Sequence, residues 1–289
     1  MITPTVGAID PDQQRAENLD RWERAAGGWG KRADRVRDTG MAVSVWMIDQ
    51  LGLQPGQRVL ELAAGPGDTG FLAAELIRPG GTLICSDGTE AMLEVARERA
   101  ASAGIENVEF ARLELEWIDL PTASVDAVLC RWGIMLIVDP DAAGHEIRRV
   151  LRSGGRAALA VWDSAERNPW ATIPGRALVK LGHAEPPDPA APGMFTLAAP
   201  GSLQELLDSA GLLDVVVEQV ELDRPFASVD EYFAETLDLS GVFRDAINGL
   251  SGAQRTEVTE EISSLAEPFT DVDGSLLLPG SSLVAAAGA

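Results

Sequence analysis

Two acidic residues and three glycines are the part of this sequence whose types and spacing could do chemistry: Glu61, Gly65, Gly67, Gly70 and Asp87. The run 58 to 70, RVLELAAGPGDTG, reads as a short buried strand, Val59-Leu60-Glu61-Leu62, that empties into Gly65-Pro66-Gly67 with Gly70 behind. Glycines there remove side chains where a nucleotide-like molecule would collide and adopt positive φ at no steric cost. A helix that follows such a turn points free N–H groups back at it. The spacing Gly65-x-Gly67-x-x-Gly70 also satisfies the dinucleotide fingerprint, so the glycines alone leave the cofactor open. Asp87 closes the next strand. In an open α/β sheet the carboxyl ends of strands one and two are neighbours, so Asp87 is expected to face the crevice at the glycine turn. A carboxylate there can accept both hydroxyls of a ribose, a role compatible with capping the helix that begins at Thr89.

These residues need elements to position them. From Asp12 the pattern is helical, with Leu19, Trp22, Ala26 and Trp29 on one face; a second helix is expected over 41–51, with Met41, Val45 and Ile48 on a stripe and Trp46 beside it. The tryptophans either pack on the core or wall an organic substrate. After the glycine turn, Phe71, Leu72, Leu76 and Ile77 mark a helix and 82–86 a second strand. A helix carrying Met92, Val95 and Ala96 ends near Gly104. Val108 and Phe110 mark strand three, with Glu114-Leu115-Glu116 beyond it. Strand four, 125–130, opens into Arg131-Trp132-Gly133. Pro140 starts a helix to about Arg152, stopped by Ser153-Gly154-Gly155, and 156–162 forms strand five.

This alternation predicts an α/β sheet flanked by helices. The regular pattern lapses over 163–201, where Pro186, Pro187, Pro189, Trp170, His183, Met194 and Phe195 suggest a folded lid. Ser202-x-x-Glu205, Ser228-x-x-Glu231 and Ser251-x-x-Gln254 read as helix starts, the first opening a helix through Ala210. Strand six is expected at 213–222 and the last strand within 275–287, paired at the sheet edge with 223–274 inserted between them. The expected organisation is a loose tail at 1–9 within an N-terminal helical cap at 1–52, a cofactor-binding core at 53–162, the lid at 163–201, and a C-terminal part of the core at 202–289.

Composition narrows the partners. Among 289 residues, 23 Lys+Arg against 45 Asp+Glu give a net charge of −22, which opposes approach to nucleic acid and anionic lipid. No stretch nears the 18 or so uninterrupted apolar residues of a membrane span. The first residues, MITPTVGAIDPDQQ, lack the basic and apolar blocks of a secretory signal. Cys85 and Cys130 sit in apolar runs and read as buried reduced thiols, so a cytoplasmic location is expected, with no metal site. Nothing in the sequence specifies an oligomeric state.

Taken together, 55–162 and more loosely 202–222 resemble the class I S-adenosylmethionine-dependent methyltransferases, particularly the group acting on small molecules and quinones. The motifs that carry the likeness are Val59-Leu60-Glu61-Leu62-Ala63-Ala64-Gly65-Pro66-Gly67, Cys85-Ser86-Asp87-Gly88-Thr89-Glu90-Ala91-Met92-Leu93, and Glu146-Ile147-Arg148-Arg149-Val150-Leu151-Arg152-Ser153-Gly154-Gly155, where the family often has Pro at the place of Ser153. The resemblance implies a Rossmann-like seven-stranded sheet whose last strand runs antiparallel between the fifth and sixth. It implies S-adenosylmethionine as cofactor, with Glu61 at the methionine ammonium, backbone from Ala63 through Gly65, Pro66 and Gly67 along the ligand, Asp87 at the ribose hydroxyls, Met92 near adenine and Gly88 among the cofactor contacts. Glu114-Leu115 takes the place of the pair at the adenine edge, where the family more often has Asp, and Arg131 borders the methionyl portion. Trp29, Trp46, Trp132, Met135, His183 and Phe195 are the candidate substrate contacts.

An acid inside an apolar strand is costly without a cationic or hydrogen-bonding partner; an ammonium provides one, and dinucleotide binding has no comparable need. Methyl transfer is thus favoured over an NAD(P)-dependent oxidoreductase, with a non-catalytic cofactor-binding or regulatory protein as the other alternative. The expected acceptor is an apolar or aromatic small molecule methylated on O, N or C. His145, on the solvent side of its helix, His183 and Asp163 are the candidate bases, and none is assigned a catalytic role.

Overall fold

The protein is described from a computed structural model, over residues 10–186 and 193–289. The expected loose tail at 1–9 and two of the lid prolines, Pro187 and Pro189, lie outside the described residues. The chain begins with a 41-residue helix, α1 (Pro11–Leu51), where two helices were expected. Two glycines inside this helix are points of close approach. A Cβ at Gly28 would overlap the backbone oxygen of Asp238, and one at Gly40 would stand 2.5 Å from Arg131 Nη1. Each glycine costs the helix about 1 kcal/mol relative to alanine, and in exchange another element lies directly against α1.

The core then alternates as β1 (Arg58–Glu61), α2 (Asp68–Leu76), β2 (Thr82–Asp87), α3 (Glu90–Ala103), β3 (Val108–Arg112), β4 (Val125–Arg131), α4 (Pro140–Val150) and β5 (Leu151–Trp162). These strands pair in parallel in the order β3-β2-β1-β4-β5, and helices on both faces make β1, β2 and β4 apolar on both sides. The helix before β5 ends two residues earlier than expected. Leu151 already bridges Val125, and Ser153-Gly154-Gly155 forms an irregular start of the strand instead of a helix stop.

After β5 the structure is more regular than the sequence suggested. A helix, α5 (Pro169–Lys180), occupies part of the presumed lid, with Pro174 inside it. Helix α6 (Ser202–Ser209) follows, capped by Gly201 in the left-handed region; Ser202 makes no capping hydrogen bond, so the expected box is not formed. Strand β6 (Leu213–Phe226) runs four residues beyond the expected end. Helices α7 (Val229–Leu239), α8 (Gly241–Asn248) and α9 (Gly252–Ala266) precede β7 (Leu276–Gly288). At α9 the Ser251–Gln254 box is complete, and Ser228 caps α7 by accepting from the Glu231 N–H.

β7 lies between β5 and β6, antiparallel to both, which completes a seven-stranded sheet. Two apolar clusters result. One fills the sheet and its flanking helices. The other joins Ile173 and Leu178 of α5 to Tyr232, Phe243, Val258 and Ile262 of α7 to α9 and to Leu276 and Leu278 of β7. Among the described residues no helix is long and apolar enough to cross a membrane.

Candidate cofactor and acceptor site

The carboxyl ends of β1, β2 and β4 open into one cavity of about 1050 Å3, its mouth included. Glu61 closes β1 and is buried. Its Oε1 accepts from the Gly70 N–H at 2.8 Å, while Oε2 has no partner. Burial pushes its pKa up to about 8, against the opposing effects of the Gly70 hydrogen bond and the nearby Arg131. A buried carboxyl with one oxygen unpaired gains from a cationic or N–H partner. S-adenosylmethionine carries an ammonium that meets this need.

The turn after β1 is shaped by backbone conformation. Ala63 and Gly65 both have positive φ, near 49° and 53°, and the Gly65 N–H donates to Asp87 Oδ2 at 3.0 Å. A Cβ on Gly133 would overlap that of Ala63, so the turns after β1 and β4 touch there. Asp87 Oδ1 accepts from both the backbone N–H and the hydroxyl of Thr89, each at 3.0 Å. Three of its roughly four acceptor directions are therefore occupied within the protein, with room left toward a ligand hydroxyl. Burial raises the Asp87 pKa, opposed by these hydrogen bonds.

Of the expected cofactor residues, Glu61, Ala63, Gly65, Pro66, Asp87, Gly88, Met92, Glu114, Leu115 and Arg131 all line this cavity. Gly67 does not. Its φ near 87° ends the turn at the N-terminus of α2, and a Cβ there would press on the Phe71 ring. Of the expected substrate contacts, Trp29 and Trp132 line the cavity and four others do not. Trp46 donates to Glu218 Oε2 at 2.9 Å on the outside of β6. Met135 is buried in the core and its sulfur accepts from the Trp162 N–H. Phe195 packs on the sheet cluster, and the His183 N–H donates to Leu178 O at the end of α5. These four were nominated by residue type within a region, and chain position alone does not bring them to the strand ends.

The base candidates lie elsewhere too. Asp163 is held by the Ser281 hydroxyl at 2.9 Å, and exposed His145 sits 2.8 Å from Asp141 O.

The first half of α1 supplies the roof, which residue patterning did not place over the turn. Arg15 donates to Glu116 Oε2 at 2.8 Å, Asn18 to Leu136 O at 2.8 Å, and Leu19 lies 2.8 Å from where a Gly88 Cβ would be. Arg15, Asn18, Leu19 and Trp22 thus join the cavity wall. Trp22 and Trp29 meet edge to face at 5.6 Å. The opposite wall is Trp132, stacked on Trp162 at 4.1 Å, with its indole N–H donating to Ser282.

Residues 53–184 match the family model described as a methyltransferase domain. The strand order and strand-end cavity above agree with that match, and over these residues the chain is similar to the class I S-adenosylmethionine-dependent methyltransferases. Within that class it is related to the quinone methyltransferases: it is 36% identical over 110 residues to the ubiquinone/menaquinone biosynthesis C-methyltransferase UbiE of Hahella chejuensis. That alignment covers 38% of this chain and 44% of the relative, so the chain spans less than half the length of that curated protein.

Among solved structures it is similar to a phosphoethanolamine N-methyltransferase of Haemonchus contortus (TM-score 0.58, 17% identity, 94% of this chain and 60% of that one). It is also similar to the [4+2]-cyclase SpnF (TM-score 0.54, 15% identity, 98% and 97%). At these identities both likenesses concern the fold alone.

Proposed function

We propose that the protein transfers a methyl group from S-adenosylmethionine to an O, N or C atom of an apolar or aromatic small molecule. The observation that carries this reading is that Glu61, a buried carboxyl with one oxygen left without a donor, is among the residues lining the cavity at the glycine turn. Glu61 holds the ammonium, backbone from Ala63 to Pro66 runs along the ligand, Asp87 accepts from the ribose, and Met92 with Leu115 covers the base. When bound, the sulfonium supplies both an electrophilic methyl and its leaving group. The chain's task is then to align a nucleophile and exclude water.

The wall residues suit an apolar acceptor. The indole N–H groups of Trp29 and Trp132 are spent on Leu239 O and Ser282 Oγ, so both rings offer carbon surface to a ligand. Among the described residues the titratable groups along the cavity are Arg15, Glu61, Asp87, Glu114, Glu116 and Arg131, with no histidine, lysine or tyrosine among them. This set favours an acceptor that needs little help in losing a proton. The test is incubation of the protein with methyl-labelled S-adenosylmethionine and a cell extract, followed by mass spectrometry of the small-molecule fraction. A labelled apolar product is expected; tight cofactor binding with no labelled product would leave the fold as a binding module and overturn the proposal.

A further inference from the structure

Arg131, the last residue of β4, enters the cavity beside Glu61 with its side chain only 8% exposed. Burial pushes its pKa down from the ordinary arginine value, with Asp68 and Glu61 opposing. A guanidinium carries five N–H donors in a fixed fork. Among the described residues it spends one on a hydrogen bond, from Nη1 to the Ser44 hydroxyl of α1 at 2.9 Å. Asp68 Oδ2 lies 3.8 Å from Nη2, beyond hydrogen-bond distance, and Asp68 is already paired through Oδ1 with Arg99 at 2.6 Å. The Arg131 side chain keeps a small exposed fraction, and the residue lines the cavity.

Two features fix the fork in place. Its carbon lies 4.7 Å over the Trp132 ring, and α1 comes so near at Gly40 that a Cβ there would stand 2.5 Å from Nη1. Arg99 is hydrogen-bonded to both Asp68 and Asp34, whereas Arg131 has no hydrogen-bonded carboxylate among the described residues. A nearly buried guanidinium with unused donors, held rigidly at the edge of a cavity, is a built receptor for a planar oxyanion.

We propose that Arg131 binds an oxyanion inside the cavity. The source is either the carboxylate of the cofactor's amino-acid end or an ionised oxygen of the acceptor. The inference rests on the S-adenosylmethionine reading of the cavity and adds a specificity-determining residue to it.

The test compares ligands with and without the carboxylate. Calorimetry measures S-adenosylmethionine and decarboxylated S-adenosylmethionine on the unsubstituted protein and on Arg131→Gln. A second arm measures benzoate binding with saturating S-adenosylhomocysteine present. If the cofactor carboxylate is the partner, the unsubstituted protein prefers the carboxylated ligand by about 10- to 100-fold and Arg131→Gln loses that preference. If the acceptor supplies the oxygen, the cofactor preference is unmoved and benzoate affinity falls about tenfold or more in the variant.

A structural role alone would weaken all ligands together. The proposal is overturned if Arg131→Gln leaves both the ligand ratio and benzoate affinity unchanged. Should that variant not fold, Arg131→Lys keeps the charge but not the fork; a reduced ratio or weaker benzoate binding supports the proposal, and unchanged values overturn it. Failure of the cofactor reading is distinct: the unsubstituted protein would then bind neither adenosyl ligand.

Discussion

The Glu61 carboxylate occupies the space that a side chain at residue 70 would fill: the Gly70 N–H holds Oε1 at 2.8 Å, and a Cβ on Gly70 would overlap Oε2. The third glycine of the motif is therefore there for the acid. In Gly70→Ala the helix gains about 1 kcal/mol of intrinsic propensity. The overlap costs about 1–3 kcal/mol and displaces the carboxylate. Net destabilisation is expected in thermal melting, with S-adenosylmethionine affinity in calorimetry reduced tenfold or more, on the order of a lost charged hydrogen bond. Unchanged affinity would separate Glu61 from the cofactor.

Glu61 also sets a pH dependence. In the folded protein without ligand its carboxyl keeps its proton up to about pH 8, whereas the unfolded carboxyl gives it up near 4.5. Between these values the unfolded state binds fewer protons, so Glu61 makes stability fall as pH rises through that window. Asp87 acts in the same direction. Denaturant unfolding at pH 5 and pH 8 is expected to show a smaller difference in Glu61→Gln than in the unsubstituted protein, by roughly 1–4 kcal/mol. Binding an ammonium ionises Glu61, so calorimetry near pH 6.5 in buffers of different ionisation heat is expected to show proton release that the variant lacks.

Asp87 serves the turn and the ligand together. Asp87→Ala strips the Gly65 and Thr89 N–H groups of their acceptor and is expected to cost about 1–3 kcal/mol of stability. Asp87→Asn keeps one acceptor oxygen and most of that stability. Both variants are expected to weaken S-adenosylmethionine binding tenfold or more, by the loss of a charge-assisted bond. Calorimetry on the asparagine variant decides: wild-type affinity there removes Asp87 from the ribose.

The roof formed by α1 is tied down at its exposed end by Arg15 and Glu116, whose side chains are 32% and 12% exposed. Such a partly hydrated pair contributes less than about 1 kcal/mol to stability. Arg15→Ala is therefore expected to leave the melting temperature almost unmoved. Amide hydrogen exchange over residues 11–26 is expected to quicken, because that half of the helix depends on few tethers. Unchanged exchange would show that the Asn18 contact and the tryptophans hold the roof without Arg15.

Where the sequence was informative, the information was local. Glu61, Gly65 and Asp87 lie at strand ends, and buried parallel strands read as apolar runs, so both strands and site came forward together. The long helix was obscured because Gly28, Gly30 and Gly40 look like breaks until the neighbours that need them are known. The Gly40–Arg131 and Ser44–Arg131 contacts join positions some 90 residues apart, and no periodicity encodes them. Helix α5 was hidden by Pro174 and the surrounding prolines. At Ser202 the Ser-x-x-Glu pattern was present, but Gly201 is the residue before the helix that takes the cap conformation.

The helices between β6 and β7 depend on a buried ion pair that touches α1 as well. Glu235 of α7 accepts from Arg224 Nη2 at 2.5 Å and from Arg35 Nε of α1 at 3.1 Å, with its side chain 3% exposed. Arg224 lies 4.1 Å over the Trp170 ring, and Tyr232 donates to Trp170 O, which binds α5 to the same cluster. Removing one partner leaves a buried charge without compensation, so Glu235→Ala is expected to cost about 3–5 kcal/mol in denaturant unfolding. The double variant Glu235→Leu with Arg224→Met replaces the pair by apolar volume and is expected to recover most of that loss. If the double variant remains as unstable as the single one, the Arg35 contact to α1, not desolvated charge, is what the pair supplies.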